Sequence, residues 1–137
     1  MTPVFIDTNV LVYRYDRDAG GKHETARRVV LDLARARTAA ISVQVMQEFV
    51  ATTRRNSILV DADLRTALTI MSHWLVHRPG PDDVVAALDL SARHTLSFWD
   101  AMIVRSAVES GATTLLTEDL NPGQIIDGVT VVNPFAA

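Results

Sequence analysis

Val4-Phe5-Ile6-Asp7-Thr8-Asn9-Val10-Leu11-Val12-Tyr13 decides the fold. Three apolar, β-prone residues end abruptly in a carboxylate. A polar pair follows, and then four largely apolar residues in a row. The run predicts a buried strand, a polar turn and a short helix.

The rest of the chain repeats this alternation. Gly20-Gly21 breaks the chain, and residues 22–37 read as a helix with Ala26, Val29, Val30 and Leu33 on one face. Ala39-Ala40-Ile41 is a second short strand, and Ser42 can cap a helix carrying Val45, Met46, Phe49 and Val50. Asp61 or Asp63 starts a further helix with the stripe Leu64, Leu68, Met71 and Leu75. Pro79-Gly80-Pro81 stops it. Pro81 suits a first helical position, Asp82-Asp83 suit the positive end of a helix, and that helix runs to about Arg93. Ser97 caps another helix through Val108, which Gly111 closes. Thr113 to Leu116 is a third strand and Val129 to Val132 a fourth. Short, wholly apolar strands alternating with helices define an α/β fold, a parallel sheet with helices on both faces. Ligand sites in such folds lie beyond the carboxyl ends of the strands, where Asp7 and Asp119 both fall. No repeat, linker or low-complexity tract divides the chain, so residues 1–137 read as one domain.

Composition narrows the chemistry. With 48% hydrophobic and 21% charged residues, the chain has the balance of an ordinary globular domain rather than a disordered one. The absence of cysteine excludes disulfides, thiolate metal sites and cysteine nucleophiles. No apolar run approaches the roughly 18 residues of a membrane span, and the N-terminus lacks the basic start of a signal peptide. A cytoplasmic location without membrane attachment is therefore expected. The net charge of −3 is unevenly placed: residues 1–78 hold 11 basic and 8 acidic side chains, residues 79–137 hold 2 and 8. Lys22 is the only lysine, and the other basic residues are arginines, which suit bidentate contacts to phosphate. Either an unevenly charged solvated surface or a basic approach to an acidic pocket fits this division.

Four acids stand where apolar neighbours favour burial. Asp7 and Asp119 each follow a strand, Glu48 lies within Val45-Met46-Gln47-Glu48-Phe49-Val50, and Asp100 lies within Phe98-Trp99-Asp100-Ala101-Met102. A lone buried carboxylate is costly and tends to protonate. Oxygen ligands with no soft donor among them suit a hard divalent cation, Mg²⁺ or Mn²⁺. Each acid also has a plainer role. Asp7 and Asp119 can cap turns or helices, Glu48 can sit at a boundary with its head in water, and Ser97-x-x-Asp100 matches a capping box. Two acids at the ligand edge, with two more in apolar helices, favour one shared site.

Phe5-Ile6-Asp7-Thr8-Asn9, Gln47-Glu48-Phe49, Phe98-Trp99-Asp100-Ala101 and Leu116-Thr117-Glu118-Asp119-Leu120, in this order, resemble the PIN-domain ribonucleases, and among them the VapC-type toxins of toxin–antitoxin pairs. The resemblance covers the whole chain. It implies a PIN-like three-layer sandwich, with a short central parallel sheet of about four or five strands. It places the acidic quartet of the family on Asp7, Glu48, Asp100 and Asp119, holding one or two Mg²⁺ or Mn²⁺ ions, with Asn9 and Thr117 as supporting polar side chains. Ser42 is a weaker candidate for lining that site. The resemblance further implies an RNA substrate, with transfer RNA and ribosomal RNA both plausible, a VapB-type antitoxin and a homodimer.

On that basis the chain is expected to hydrolyse RNA with divalent metal. Asp7 and Asp100 would be the principal ligands, and Glu48 and Asp119 would complete the cluster. In-line attack by water leaves 5′-phosphate and 3′-hydroxyl ends. Arg14, Arg17, Lys22, Arg27, Arg28, Arg54 and Arg55 are the candidates for gripping phosphates. Trp99 and Phe98 can stack on a base, although core packing is the first expectation for both. An aspartyl-phosphate phosphatase would need a second Asp two residues after Asp7, where Asn9 stands. A receiver domain would need a lysine after a late strand. His73 and His77 share a helix face only if that helix extends so far. The remaining alternative is a non-catalytic PIN-like interaction domain.

Overall fold

The computed structural model describes residues 1–136. The buried strand β1 (Val4–Ile6) is followed at once by α1 (Thr8–Tyr15), as the opening run requires. A single 3-10 turn, Arg17–Ala19, leads to α2 (Gly21–Ala36) and then to β2 (Ala39–Ser42). α3 (Val43–Arg55), α4 (Asp61–Met71), β3 (Leu75–His77), α5 (Pro81–His94) and α6 (Phe98–Glu109) come next. β4 (Thr114–Leu116), β5 (Ile125–Ile126) and β6 (Val129–Val132) complete the described chain.

The strands form one six-stranded sheet in the order β3-β2-β1-β4-β6-β5. All neighbours run parallel except β5, which turns back antiparallel on β6. From β1 the chain builds outward to β2 and β3, then returns to lay β4 on the other side of β1. Right-handed crossovers on the two halves put their helices on opposite faces, which gives the three layers. The reversal creates a topological switch point between the carboxyl ends of β1 and β4.

The α/β expectation stands, and the sheet has two strands beyond the four read from the sequence. Leu75 does not extend the stripe of α4. That helix ends at Met71, and Leu75, Val76 and His77 pair with Ala40, Ile41 and Ser42 instead. Helical spacing of four apolar residues was outweighed there by a ladder of backbone hydrogen bonds. His73 and His77 consequently share no helix face. β5 has only two residues, too few for any periodicity.

The core lies between the sheet and its helices. Phe5, Ile6 and Leu115 from the strands meet Val10, Leu11, Val45, Phe49 and Val104 from the helices, all fully buried. Tyr15 packs its ring against the edge of Phe49 at 5.6 Å, tying the end of α1 to α3. This packing brings α1, α3 and α6 to the carboxyl ends of β1 and β4.

Candidate active site

Asp7 closes β1 and opens α1. Its Oδ1 accepts from the Thr8 N–H at 2.7 Å, so it caps the helix as its plainer role required. Its Oδ2 accepts from the Thr117 hydroxyl at 2.8 Å, across the switch point. Thr117 Oγ1 in turn accepts from Asn9 Nδ2 at 3.1 Å and from the Asp119 N–H at 3.1 Å. Asn9 Nδ2 also donates to Asp119 Oδ2 at 2.9 Å. Asn9 and Thr117 thereby fix the loop after β4 to the start of α1 and aim two carboxylates.

Glu48 arrives from α3, where its Oε1 accepts from the Thr8 hydroxyl at 2.9 Å. Asp100 lies in the first turn of α6. Its N–H donates to Ser97 Oγ at 3.1 Å, which is one half of a capping box. Its carboxylate lines the same cavity of about 370 Å³ as Asp7, Glu48 and Asp119. All four expected acids thus border one cavity, with Asn9 beside them and Thr117 behind. Ser42 does not reach it. That side chain is fully buried and caps α3 by accepting from the Val45 N–H. Thr8 was not singled out from the sequence, because nothing local reveals a partner forty residues away.

The electrostatics are unusual. Among the described residues, none of the four acids takes an ion pair. Arg55, at the end of α3, is the basic side chain that lines the cavity. Burial, and then the charges of Glu48 and Asp119, raise the Asp7 carboxyl from 3.8 to about 7, against the opposing hydrogen bonds from Thr117 and Thr8. Among the described residues, no three His, Asp or Glu side chains close into a ready-made metal cage. The lining is open and its carboxylates are hard oxygen donors. It could hold a divalent cation that keeps several of its waters, as Mg²⁺ characteristically does.

The other expected cations are sorted by the fold. Arg54 is paired with Asp61 and Arg27 with Glu24, both on the surface. Lys22 donates to Glu118 Oε2 at 2.8 Å, and Tyr13 donates its hydroxyl to Oε1 of the same carboxylate at 2.6 Å. Burial works against the charge of Glu118, but these two bonds outweigh it and hold the group below its ordinary value. Phe135 lies edge-on to Tyr13 at 5.1 Å, which ties down the chain end as well. Glu118 stands between Thr117 and Asp119, so this latch also holds the site loop. Tyr13→Phe is expected to lower stability by about 1 kcal/mol, read as a reduced urea midpoint at unchanged slope.

A mostly parallel sheet with acids converging on its switch point defines a class of fold and site. The chain belongs to the PIN-domain family, whose profile matches residues 4–125. Solved structures share the fold. A toxin–antitoxin complex from Klebsiella pneumoniae aligns with a TM-score of 0.70 and 20% identity, covering 98% of this chain and 99% of the other. Mycobacterium tuberculosis VapC20, a sarcin–ricin loop cleaving toxin, aligns at 0.65 and 20% identity, covering 82% and 86%. VapBC2 from Rickettsia felis, bound to a DNA fragment from its promoter, aligns at 0.65 and 18% identity, covering 93% and 96%. No curated protein sequence matches the chain.

Proposed function

We propose that this chain is a metal-dependent endoribonuclease, the toxin of a type II toxin–antitoxin pair. One observation carries the reading: four carboxylates without ion pairs border a single open cavity at the switch point of the sheet. A Mg²⁺ or Mn²⁺ ion bound there supplies Lewis acidity, which lowers the pKa of water and offsets charge on the phosphodiester. Asp7 and Asp100 are the principal ligands, and Glu48 and Asp119 complete the set directly or through water. Thr117 and Thr8 hold Asp7 and Glu48 in place. Asn9 holds Asp119. Arg55 is positioned to meet a phosphate at the cavity's rim.

The descriptions of the aligned structures support the toxin assignment. One cleaves the sarcin–ricin loop, and two come from toxin–antitoxin assemblies. A VapB-type antitoxin and a homodimer follow as partners, and the exposed Val84, Val85 and Leu88 of α5 suit a protein contact. No described helix is long and apolar enough to cross a membrane, and the assigned compartment is the cytoplasm. Ribosomal or transfer RNA is the proposed substrate.

Purified, antitoxin-free protein is expected to cut structured RNA with Mg²⁺ or Mn²⁺ and to stop in EDTA. The products should carry 5′-phosphate and 3′-hydroxyl ends. Cleavage that persists in EDTA, or products with 2′,3′-cyclic phosphate, would sink the metal mechanism. A folded, antitoxin-free protein that is inert on total cellular RNA with metal would make the chain an interaction domain instead.

A further inference from the structure

A second cavity of about 370 Å³ lies beside the acidic one. It is lined by Gln44 and Gln47 of α3, Arg78 and Pro79 after β3, and Trp99 and Met102 of α6. The same two helices serve both cavities. α3 gives Glu48 to one and Gln47 to the other, and α6 gives Asp100 to one and Trp99 to the other. The two cavities are thus lined by consecutive residues of the same two helices.

Its lining has a distinct chemistry. Trp99, expected in the core, is instead 64% exposed, while its neighbour Phe98 packs inward. Phe98 meets the indole edge-on at 5.3 Å and so restricts its orientation. Gln44 is 7% exposed, and its Nε2 donates to the Trp99 carbonyl at 3.2 Å. That bond fixes which way the amide faces and leaves its Oε1 without a donor. A buried acceptor left unpaired is unfavourable and calls for a partner. Arg78 is exposed and takes no ion pair among the described residues. An indole face, amides and an uncommitted guanidinium are the elements that recognise one nucleotide: stacking on the base, hydrogen bonds to its edge, and charge on its phosphate.

We propose that the cavity between α3 and α6 is a nucleotide subsite that seats an unstacked base of the RNA next to the scissile bond. Trp99 supplies the stacking face, Gln47 and, after a small side-chain movement, Gln44 address the base edge, and Arg78 takes the adjoining phosphate. This rests on the ribonuclease reading and adds to it a determinant of which RNA is cut. It requires the base to be splayed out, so the preferred targets are loops rather than duplex.

The test uses the Trp74→Phe protein, in which Trp99 is the one remaining tryptophan, with EDTA present to prevent cleavage. A short single-stranded RNA is expected to quench the indole fluorescence, and an abasic strand of the same length is expected to quench it far less. Trp99→Ala should weaken binding of that RNA by about 5- to 100-fold, measured by anisotropy of a labelled strand, and Trp99→Phe should recover most of the loss. Arg78→Gln should reduce the slope of log affinity against log salt by about 0.7. If wild-type protein cleaves RNA with metal while Trp99→Ala binds it as tightly as wild type, the subsite is wrong and the nuclease stands. If wild-type protein neither binds nor cleaves RNA, both readings fall. If Trp99→Ala leaves RNA affinity intact but dissolves a dimer or an antitoxin complex, the cavity is a protein contact.

Discussion

Asp7→Asn is expected to abolish cleavage and, in the same protein, to raise its metal-free stability at alkaline pH. The loss of activity follows from the role proposed for Asp7 as a principal cation ligand. Several kcal/mol of charge stabilisation disappear, which corresponds to at least about 10³-fold in rate. The stability gain follows from where Asp7 sits. Its carboxyl is 6% exposed, faces Glu48 and Asp119, and has its folded pKa raised from 3.8 to about 7. The folded state therefore holds that proton more tightly than the unfolded chain does. The contribution of this group to stability is fully present below about pH 3.8 and is lost as pH rises through about 7. The ceiling on that loss is about 4 kcal/mol. Asparagine keeps the cap on α1 and carries no charge. It recovers less than the ceiling, because Thr117 Oγ1 already accepts from Asn9 and Asp119 and has no lone pair free for a new amide donor. A gain of about 1–3 kcal/mol at pH 8 in EDTA is expected, shrinking as pH falls and reversing near pH 4, where the wild-type carboxyl is protonated and only the misfit of the amide against Thr117 remains. Urea denaturation of both proteins at pH 5 and pH 8 measures it. A difference that does not grow with pH would show that Asp7 is not held uncharged in the metal-free fold. Adding Mg²⁺ at pH 8 should stabilise the wild type and leave Asp7→Asn nearly unmoved.

This conflict between burial and charge is also why the candidate site was legible in the sequence. Carboxylates beside Ile6, inside the apolar stretch of α3, near the start of α6 and after Leu116 disagree with their neighbours, and such local inconsistencies mark functional positions. The alternation of strand and helix was legible for a similar reason. Wholly apolar strands belong to a parallel sheet, and the caps Ser42 and Ser97 and the helix-starting Pro81 stand where they were expected. What escaped depends on distance in the chain. Leu75 kept helical phase with Leu64, Leu68 and Met71, and only its pairing with Ala40 shows it to be strand. The latch of Tyr13, Lys22 and Glu118 joins groups about a hundred residues apart, for which no local pattern exists. Trp99 was assigned to the core because large aromatic residues beside apolar ones normally pack there. Its neighbour Phe98 does so, and the helix phase turns Trp99 outward.

Asp83 shows a residue whose sequence role was right but too small. It was expected to favour the positive end of α5, and it does: its Oδ2 accepts from the Gly80 N–H at 2.8 Å. The same carboxylate also accepts from Arg105 Nε of α6 at 2.9 Å and meets His77 Nε2 of β3 at 3.2 Å. One side chain, 7% exposed, thus joins an edge strand to two helices. Burial opposes its charge, but the Gly80 N–H, Arg105 and His77 outweigh it and hold the pKa below 3.8. Asp83→Ala leaves the Gly80 N–H and the guanidinium short of a partner. The usual cost of breaking such a buried pair is about 3–5 kcal/mol, reduced here because Arg105 retains Glu109 at 2.7 Å. A loss of about 2–4 kcal/mol is expected, which is a large share of a small domain's stability. Its pH dependence runs opposite to that of Asp7. The depressed pKa makes the contribution present above pH 3.8 and lost as pH falls through the lowered folded value, so the gap between Asp83→Ala and wild type should narrow toward the acid end. The two carboxylates therefore pull in opposite directions, Asp7 lowering stability as pH rises above 3.8 and Asp83 lowering it as pH falls below that value. Urea midpoints from pH 2.5 to pH 8 would show it. A penalty for Asp83→Ala that persists undiminished at the acid end would mean that shape and not charge joins α5 to α6.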